Sequence, residues 1–187
     1  MLDTIGREAL RRVADLYLNL IGQSGAIYEK NGDYALGIFS SGWRQMLDAA
    51  SRQLCATGDN RAALASGRWL CYESCWTDCS KVSMETGGPV GIECKGGIRL
   101  YAVPIRAGGE FIGSLNFGYG DPPRDPAKLR DVAERYGLGL DQLVELANAY
   151  RSRPQSTIKF AKLLLQTAGE LFGEIVEHKQ AAAGLGQ

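Results

Sequence analysis

The sequence predicts an α+β domain in which helices flank a mostly antiparallel sheet. An Asn31-Gly32 pair separates two short apolar runs, residues 26–28 and 34–39, and this is a strong signal for a β-hairpin. Three strand-like segments, residues 90–94, 98–106 and 110–118, follow one another with glycine-rich turns between them. The other apolar residues recur mainly at helical spacing, so helices are expected before, between and after these strands.

The first part of the chain is predicted to be helical outside the hairpin. A helix over residues 2–22 carries one apolar stripe, formed by Ile5, Ala9, Val13, Leu16 and Leu20. The hydroxyl groups of Ser40 and Ser41 are suited to cap a second helix, whose apolar positions are Trp43, Met46, Leu47 and Ala50. A short helix is expected over residues 60–66.

The middle of the chain places a helix before the three strands and two helices after them. Residues 69–84 are predicted to be helical up to the break at residues 87–89, Gly-Gly-Pro. In the segment 98–106 both alternating sets of residues are apolar, which is typical of a central strand covered on both faces. After a Gly- and Pro-rich segment at 118–123, helices are predicted over residues 126–136 and 139–150.

A long helix is predicted from Pro154 to about residue 180. Its apolar positions follow a heptad spacing: Ile158, Ala161, Leu165, Ala168, Phe172 and Ile175. One interpretation is a helix packed on its own domain. The other is a coiled-coil connector that dimerises and carries a signal onward.

Composition favours an ordinary soluble domain and excludes several classes of function. The chain has 187 residues, with 21 acidic and 21 basic side chains, so no basic footprint for nucleic acid stands out. No apolar run is long enough for a membrane span, and the N-terminus does not resemble a signal peptide, so we expect a cytoplasmic protein. The expected organisation is an N-terminal helix (1–24), a core (25–123), a helical extension (124–153) and a C-terminal helix with a tail (154–187).

Four of the five cysteines lie within 24 residues, and this cluster is the main candidate for chemistry. Cys71, Cys75 and Cys79 are four residues apart and would form one stripe of a helix, with Cys94 in a glycine-rich segment after it. Cys71 and Cys79 would be about 12 Å apart on a helix, too far for all three to bind one Zn²⁺. An iron–sulfur or zinc site built from Cys55, Cys71, Cys75 and Cys94 remains an alternative.

Two further interpretations of the cysteines stay open at this level. They form either a pocket lined by free thiols or a redox-active pair. Three aromatic residues interleave with the cysteines, Trp69, Tyr72 and Trp76, and they either fill the core or form an aromatic wall for a ligand. The single histidine, His178, lies far away in the C-terminal helix and is expected to be a solvated residue.

Residues 89–105 and 108–118 resemble a known family of sensory domains, named after the PocR regulator. The similarity lies in a Pro-led strand, a Cys94-Lys95-Gly96-Gly97-Ile98 motif, a Pro104-Ile105 strand and a glycine-rich strand, and it covers about residues 25–120. The family motif has His at the position of Lys95. The positive charge of Lys95 would favour an anionic ligand. The resemblance implies a GAF/PAS-like fold and the binding of small molecules such as simple diols and other hydrocarbon derivatives.

The resemblance also implies a function and a site. We expect a sensory domain of a bacterial histidine kinase or transcription regulator, not itself an enzyme, that binds no cofactor. It would dimerise through its N- and C-terminal helices and signal to a following PAS or kinase module. The expected ligand-binding residues are Cys71, Cys75, Trp76, Cys94, Lys95, Tyr101 and Asn116. The alternatives are a redox or metal sensor and, third, a thiol enzyme such as a methionine sulfoxide reductase.

Overall fold

The computed structural model describes residues 1–184, within which five strands form one antiparallel sheet in the order β2-β1-β5-β4-β3. Its strands are β1 (Gly25–Glu29), β2 (Tyr34–Ile38), β3 (Val90–Glu93), β4 (Arg99–Ala107) and β5 (Glu110–Tyr119). The hairpin predicted around Asn31-Gly32 is confirmed, since β1 pairs with β2 across it. Long pairings of β5 with both β1 and β4 place β5 at the centre of the sheet.

Helices cover both faces of this sheet. They are α1 (Leu2–Ile5), α2 (Arg7–Ile21), α3 (Gly42–Leu54), α4 (Asn60–Ala65), α5 (Leu70–Tyr72), a π-helix (Glu73–Ser80), α6 (Lys81–Thr86), α7 (Pro126–Tyr136), α8 (Leu140–Ala149) and α9 (Gln155–Gly184). The α+β class, the antiparallel sheet and the long C-terminal helix are therefore confirmed. The last part of the predicted tail lies outside the described residues, among which no helix is both long and apolar enough to cross a membrane.

The N-terminal helix differs from the prediction in two ways. It is broken at Gly6, whose φ of +89° separates α1 from α2. The predicted apolar stripe is also wrong, because Leu16 is 63% exposed while the buried side chains are Leu10, Ala14, Tyr17, Leu18 and Ile21. Apolar residues occur on more than one side of this helix, so its own periodicity did not fix which side meets the core.

We call residues 70–86 the cysteine helix; it joins α5, the π-helix and α6. In its middle the backbone bonds from i to i+5, as in the bond from the Lys81 N–H to the Trp76 carbonyl. Asn116, on β5, is fully buried beneath it and donates from Nδ2 to the Cys75 carbonyl at 2.9 Å and to Ser80 Oγ at 3.0 Å. The predicted helix is therefore present, but its central turns are wider than those of an α-helix.

The two faces of the sheet bury separate cores. The cysteine-side core packs Ile98, Leu100 and Ala102 against α3, the cysteine helix and α7. The α2/α9 core packs the alternate residues of β4, Val103 and Ile105, against those two helices. The prediction that the 98–106 segment is a central strand with both faces covered is thus confirmed.

Most of the predicted heptad positions of α9 belong to this second core. Ile158, Ala161, Leu165, Ala168 and Phe172 are buried within the chain itself, and Val176 is buried in place of the predicted Ile175. The prediction that these seam residues form a dimeric coiled coil is therefore wrong, because they are already buried within one chain. Gly169 and Gly173 allow the close approach, because a Cβ at Gly173 would overlap the backbone carbonyl of Arg106 on β4.

Candidate functional site

A small, partly open cavity lies between α3, the cysteine helix, the loop after β3 and α7. Its volume is only about 10 Å³, roughly the space that one water molecule needs. Three of the predicted site residues line it, Cys71, Cys75 and Cys94. The other lining residues are Trp43, Arg44, Leu47, Ser74, Gly96, Ile98 and Tyr136.

The first turn of α3 places a cation in this cavity. Ser41 caps α3 by accepting a hydrogen bond from the Arg44 N–H, which fixes where the helix begins. Trp43, Arg44 and Leu47 then lie in its first two turns. Trp43 donates from Nε1 to the Gly96 carbonyl at 3.1 Å, which ties α3 to the loop after β3. Arg44 itself is only 6% exposed.

The buried guanidinium of Arg44 contacts a thiol and an aromatic ring, both of which stabilise a charge only weakly. Its Nη2 lies 2.6 Å from Cys75 Sγ, and the guanidinium carbon lies 5.6 Å from the centre of the Phe39 ring. Among residues 1–184 no carboxylate is within ion-pair distance of it. Asp48, one turn further along α3, accepts a hydrogen bond from Trp69 Nε1 at 2.9 Å. Burial raises the pKa of Asp48 while the charge of Arg44 acts in the opposite direction, so the two groups attract each other only at longer range. A buried cation without a carboxylate is costly, and arginine cannot escape the cost by losing its proton.

The thiols beside Arg44 do not neutralise it. Burial raises the pKa of both Cys71 and Cys75 to about 12, although the charge of Arg44 acts in the opposite direction. Both are therefore neutral at physiological pH, opposite to what a nucleophilic thiol needs. Cys94 is half-buried, and its Sγ accepts a hydrogen bond from the Ile98 N–H at 3.4 Å.

The remaining cysteines lie elsewhere. Cys79 is directed at β3, where its thiol donates to the Val90 carbonyl, and the Cys55 thiol donates to the Ser51 carbonyl. Within the described part of the chain, no three His, Cys, Asp or Glu residues are arranged to hold a metal ion. The predicted alternative, a site of Cys55, Cys71, Cys75 and Cys94, is therefore not assembled, and a guanidinium beside Cys75 would repel a metal cation.

Lys95 does not line the cavity and instead binds the cysteine helix. Its Nζ lies 2.5 Å from Glu73 Oε2 and 3.4 Å from Asp78 Oδ2, both on the cysteine helix. Burial lowers the pKa of the Lys95 ammonium, but the hydrogen bonds and charges of these two carboxylates outweigh it, so the pKa is raised. The Lys95 N–H also donates to Ser74 Oγ at 3.0 Å. The predicted anion-binding role of Lys95 is not supported, since two carboxylates already occupy it.

Three other predicted ligand-binding residues also lie outside the cavity. Tyr101 is on the opposite face of the sheet, where its hydroxyl accepts from Gln166 Nε2 on α9 at 2.6 Å. Trp76 packs on Tyr28, with ring centres 5.2 Å apart, in the aromatic part of the cysteine-side core. Asn116 holds the cysteine helix from below, as described above.

The polar lining residues that the sequence did not indicate are Arg44 on α3, Ser74 on the cysteine helix and Tyr136 on α7. Arg44 is three residues before Leu47 and seven before Ser51, which places a cation in line with two buried positions of α3. Tyr136 is the last residue of α7, and its hydroxyl lies 3.9 Å from Cys71 Sγ. The first placement is a signal that the sequence does contain, although arginine on such a stripe usually extends its charged end into solvent.

Comparisons with known proteins place this site in a family context. The family model described as "Sensory domain found in PocR" matches residues 3–175. A search of the curated proteins found no match. One similar solved structure is the crystal structure of the GAF domain/HD domain protein from Geobacter sulfurreducens, which is 11% identical, with 96% of this chain and 97% of that chain covered and a TM-score of 0.42. The family match extends the resemblance from the core into the flanking helices.

Proposed function

The chain belongs to the PocR family of sensory domains, and from this premise we propose that it senses a small molecule bound in the cavity around Arg44. The observation that carries the proposal is the cavity itself, which the buried Arg44 lines together with Ser74, Tyr136 and several apolar side chains. A few polar groups on a mostly apolar lining are typical of small-molecule sites. Because the cavity holds about one water molecule, a ligand has to displace part of its wall, which favours a ligand of few heavy atoms.

The cavity is connected to the opposite side of the domain through β4. Ile98, at the cavity, is followed directly by β4, whose other face packs Val103 and Ile105 against α2 and α9. A ligand that favours one position of β4 would therefore favour one position of α9, since packed elements move between discrete arrangements. We propose that α9 carries the ligand state to an output module, of the PAS or histidine-kinase type suggested by the resemblance.

Thermal unfolding with a panel of small compounds tests the ligand site. Short diols, alcohols, amides and carboxylates are added to the purified domain, and we expect one chemical class to raise Tm. The variant Cys94→Leu fills the cavity from its half-buried side and is expected to lose this rise. Thr77→Leu, at an exposed position of the same region outside the cavity, is the matched control and should keep it. An equal rise in both variants would place the ligand elsewhere.

A further inference from the structure

The charge on Arg44 narrows the class of ligand. Cys71 and Cys75 are neutral thiols, Asp48 is bonded to Trp69, and Lys95 is held outside by Glu73 and Asp78. The guanidinium is thus a buried cation, directed into a cavity, whose nearest polar neighbour is a thiol. A planar guanidinium matches the two oxygens of a carboxylate, and such charge-assisted pairs are the strong ones.

From this geometry we infer that the cavity binds a small monocarboxylate, whose carboxylate group pairs with Arg44. The inference rests on the proposed function and adds the chemical class of the ligand. One guanidinium compensates one negative charge, so a dianion such as phosphate would bring an additional charge that no second cation in the cavity neutralises. The Ser74 hydroxyl accepts from the Lys95 N–H, and within residues 1–184 its own proton has no acceptor. Within the same residues the Tyr136 hydroxyl has only the Cys71 sulfur, 3.9 Å away, as partner.

The walls of the cavity select the remainder of the ligand. Trp43, Leu47 and Ile98 present apolar surface beside the guanidinium. The cavity is nearly filled, so any acid has to displace part of its wall, and a short alkyl chain requires the least movement of the loop held by Lys95. A carboxylate with a chain of a few carbons meets both conditions, whereas a longer or branched acid does not.

Calorimetric titration with propionate tests the inference against two uncharged molecules of similar shape, propanamide and 1-propanol. At constant ionic strength the wild-type domain is expected to bind propionate at least tenfold more tightly than either. Formate, acetate and butyrate extend the test, and inorganic phosphate is expected not to bind. If an uncharged compound binds and none of these carboxylates does, the inference is overturned while the proposed sensory site stands. If nothing binds, both are overturned for ligands of this size.

Variants of the cation separate recognition from structure. Arg44→Met removes the charge and keeps much of the volume, so it should abolish propionate binding while the ligand-free Tm stays equal or rises, because an uncompensated buried charge is lost. Arg130→Gln, an exposed arginine on α7, is the control for net charge and should bind as the wild type does. A large fall in Tm of ligand-free Arg44→Met, with no response of the wild type to propionate, would show that Arg44 is a structural residue paired within the protein. Should Arg44→Met fail to fold, the comparison of propionate with propanamide in the wild type still decides.

Discussion

At the scale of single residues, the buried thiols make stability depend on pH in the alkaline range. Burial raises the pKa of Cys71, Cys75 and Cys79 to about 12, from an ordinary value of 9.0. Between these two values the unfolded chain has lost protons that the folded chain keeps. The contribution of these thiols to the free energy of unfolding is therefore complete below pH 9.0. It decreases as the pH rises from 9.0 towards 12.

This dependence can be measured by urea unfolding at about pH 8 and about pH 10, under reducing conditions. Each of the three thiols should contribute about 1 kcal/mol to the loss between these conditions. Cys79→Ala removes one such thiol, so its loss between the two pH values should be smaller by that amount. Ser51→Ala, a fully buried residue without an ionisable group, should show the wild-type loss. A pH dependence unchanged in Cys79→Ala would contradict the prediction.

Single residues also show where sequence reasoning reached its limit. The cysteines were identified by their clustering, and three of them do line the cavity. The sequence predicts that the cation of the ligand site is Lys95, because Lys95 replaces the histidine of the family motif. In the structure the cation that lines the cavity is Arg44. The reason is geometric: Lys95 and the carboxylates that bind it are 17 and 22 residues apart in sequence, and only the folded chain shows that they meet.

At the scale of elements, two glycines of α9, Gly169 and Gly173, allow the helix to pack closely on the sheet. Gly173 has no space for a Cβ, because a Cβ there would lie 1.9 Å from the Arg106 carbonyl of β4. Gly169 is less constrained, since a Cβ there would lie 3.1 Å from the Pro104 carbonyl. Gly173→Ala should therefore push α9 away from β4. The expected cost is about 2 kcal/mol, since overpacking of backbone against backbone outweighs the gain in helix propensity.

Denaturant unfolding of Gly173→Ala measures this cost. Gly184→Ala is a matched control on the same helix, because nothing lies within 4 Å of a Cβ built there. The control should be neutral or slightly stabilising, as expected for alanine in a helix. If both variants behave alike, α9 does not pack on β4 as closely as the structure shows.

The elements themselves were largely predictable, and their orientations were not. The strands, the hairpin turn and most of the helices follow from apolar periodicity, caps and glycine turns. The π-helix was not predictable, because its i to i+5 bonds accompany an asparagine that reaches it from β5, 41 residues away. The prediction that Tyr101 lies on the cavity face of β4 is wrong for a related reason. Both faces of β4 are apolar, so alternation divides its residues into two sets without showing which set meets the cavity.

At the scale of the whole molecule, burial of the α9 seam changes where a second copy could bind. Deleting α9 would expose the α2/α9 core, so truncation cannot separate dimerisation from folding. The available surface is the outer side of α2 and α9, which lie antiparallel: Arg153 donates to the Ile21 carbonyl at one end and Lys179 to the Thr4 carbonyl at the other. Large apolar side chains are exposed there: Leu16, Phe160, Leu163 and Leu171.

We predict that the homodimer expected from the resemblance forms through these exposed side chains. Phe160 is 54% and Leu163 50% exposed, and a charge at either position would have to be desolvated against the partner. Phe160→Glu and Leu163→Glu should thus shift sedimentation from dimer to monomer while Tm of the monomer stays close to that of the wild type. Lys159→Glu, exposed on the same helix, is the control for the change of charge and should leave the dimer intact. A wild-type domain that sediments as a monomer at all concentrations would contradict the prediction, and α9 would then have to signal without a partner.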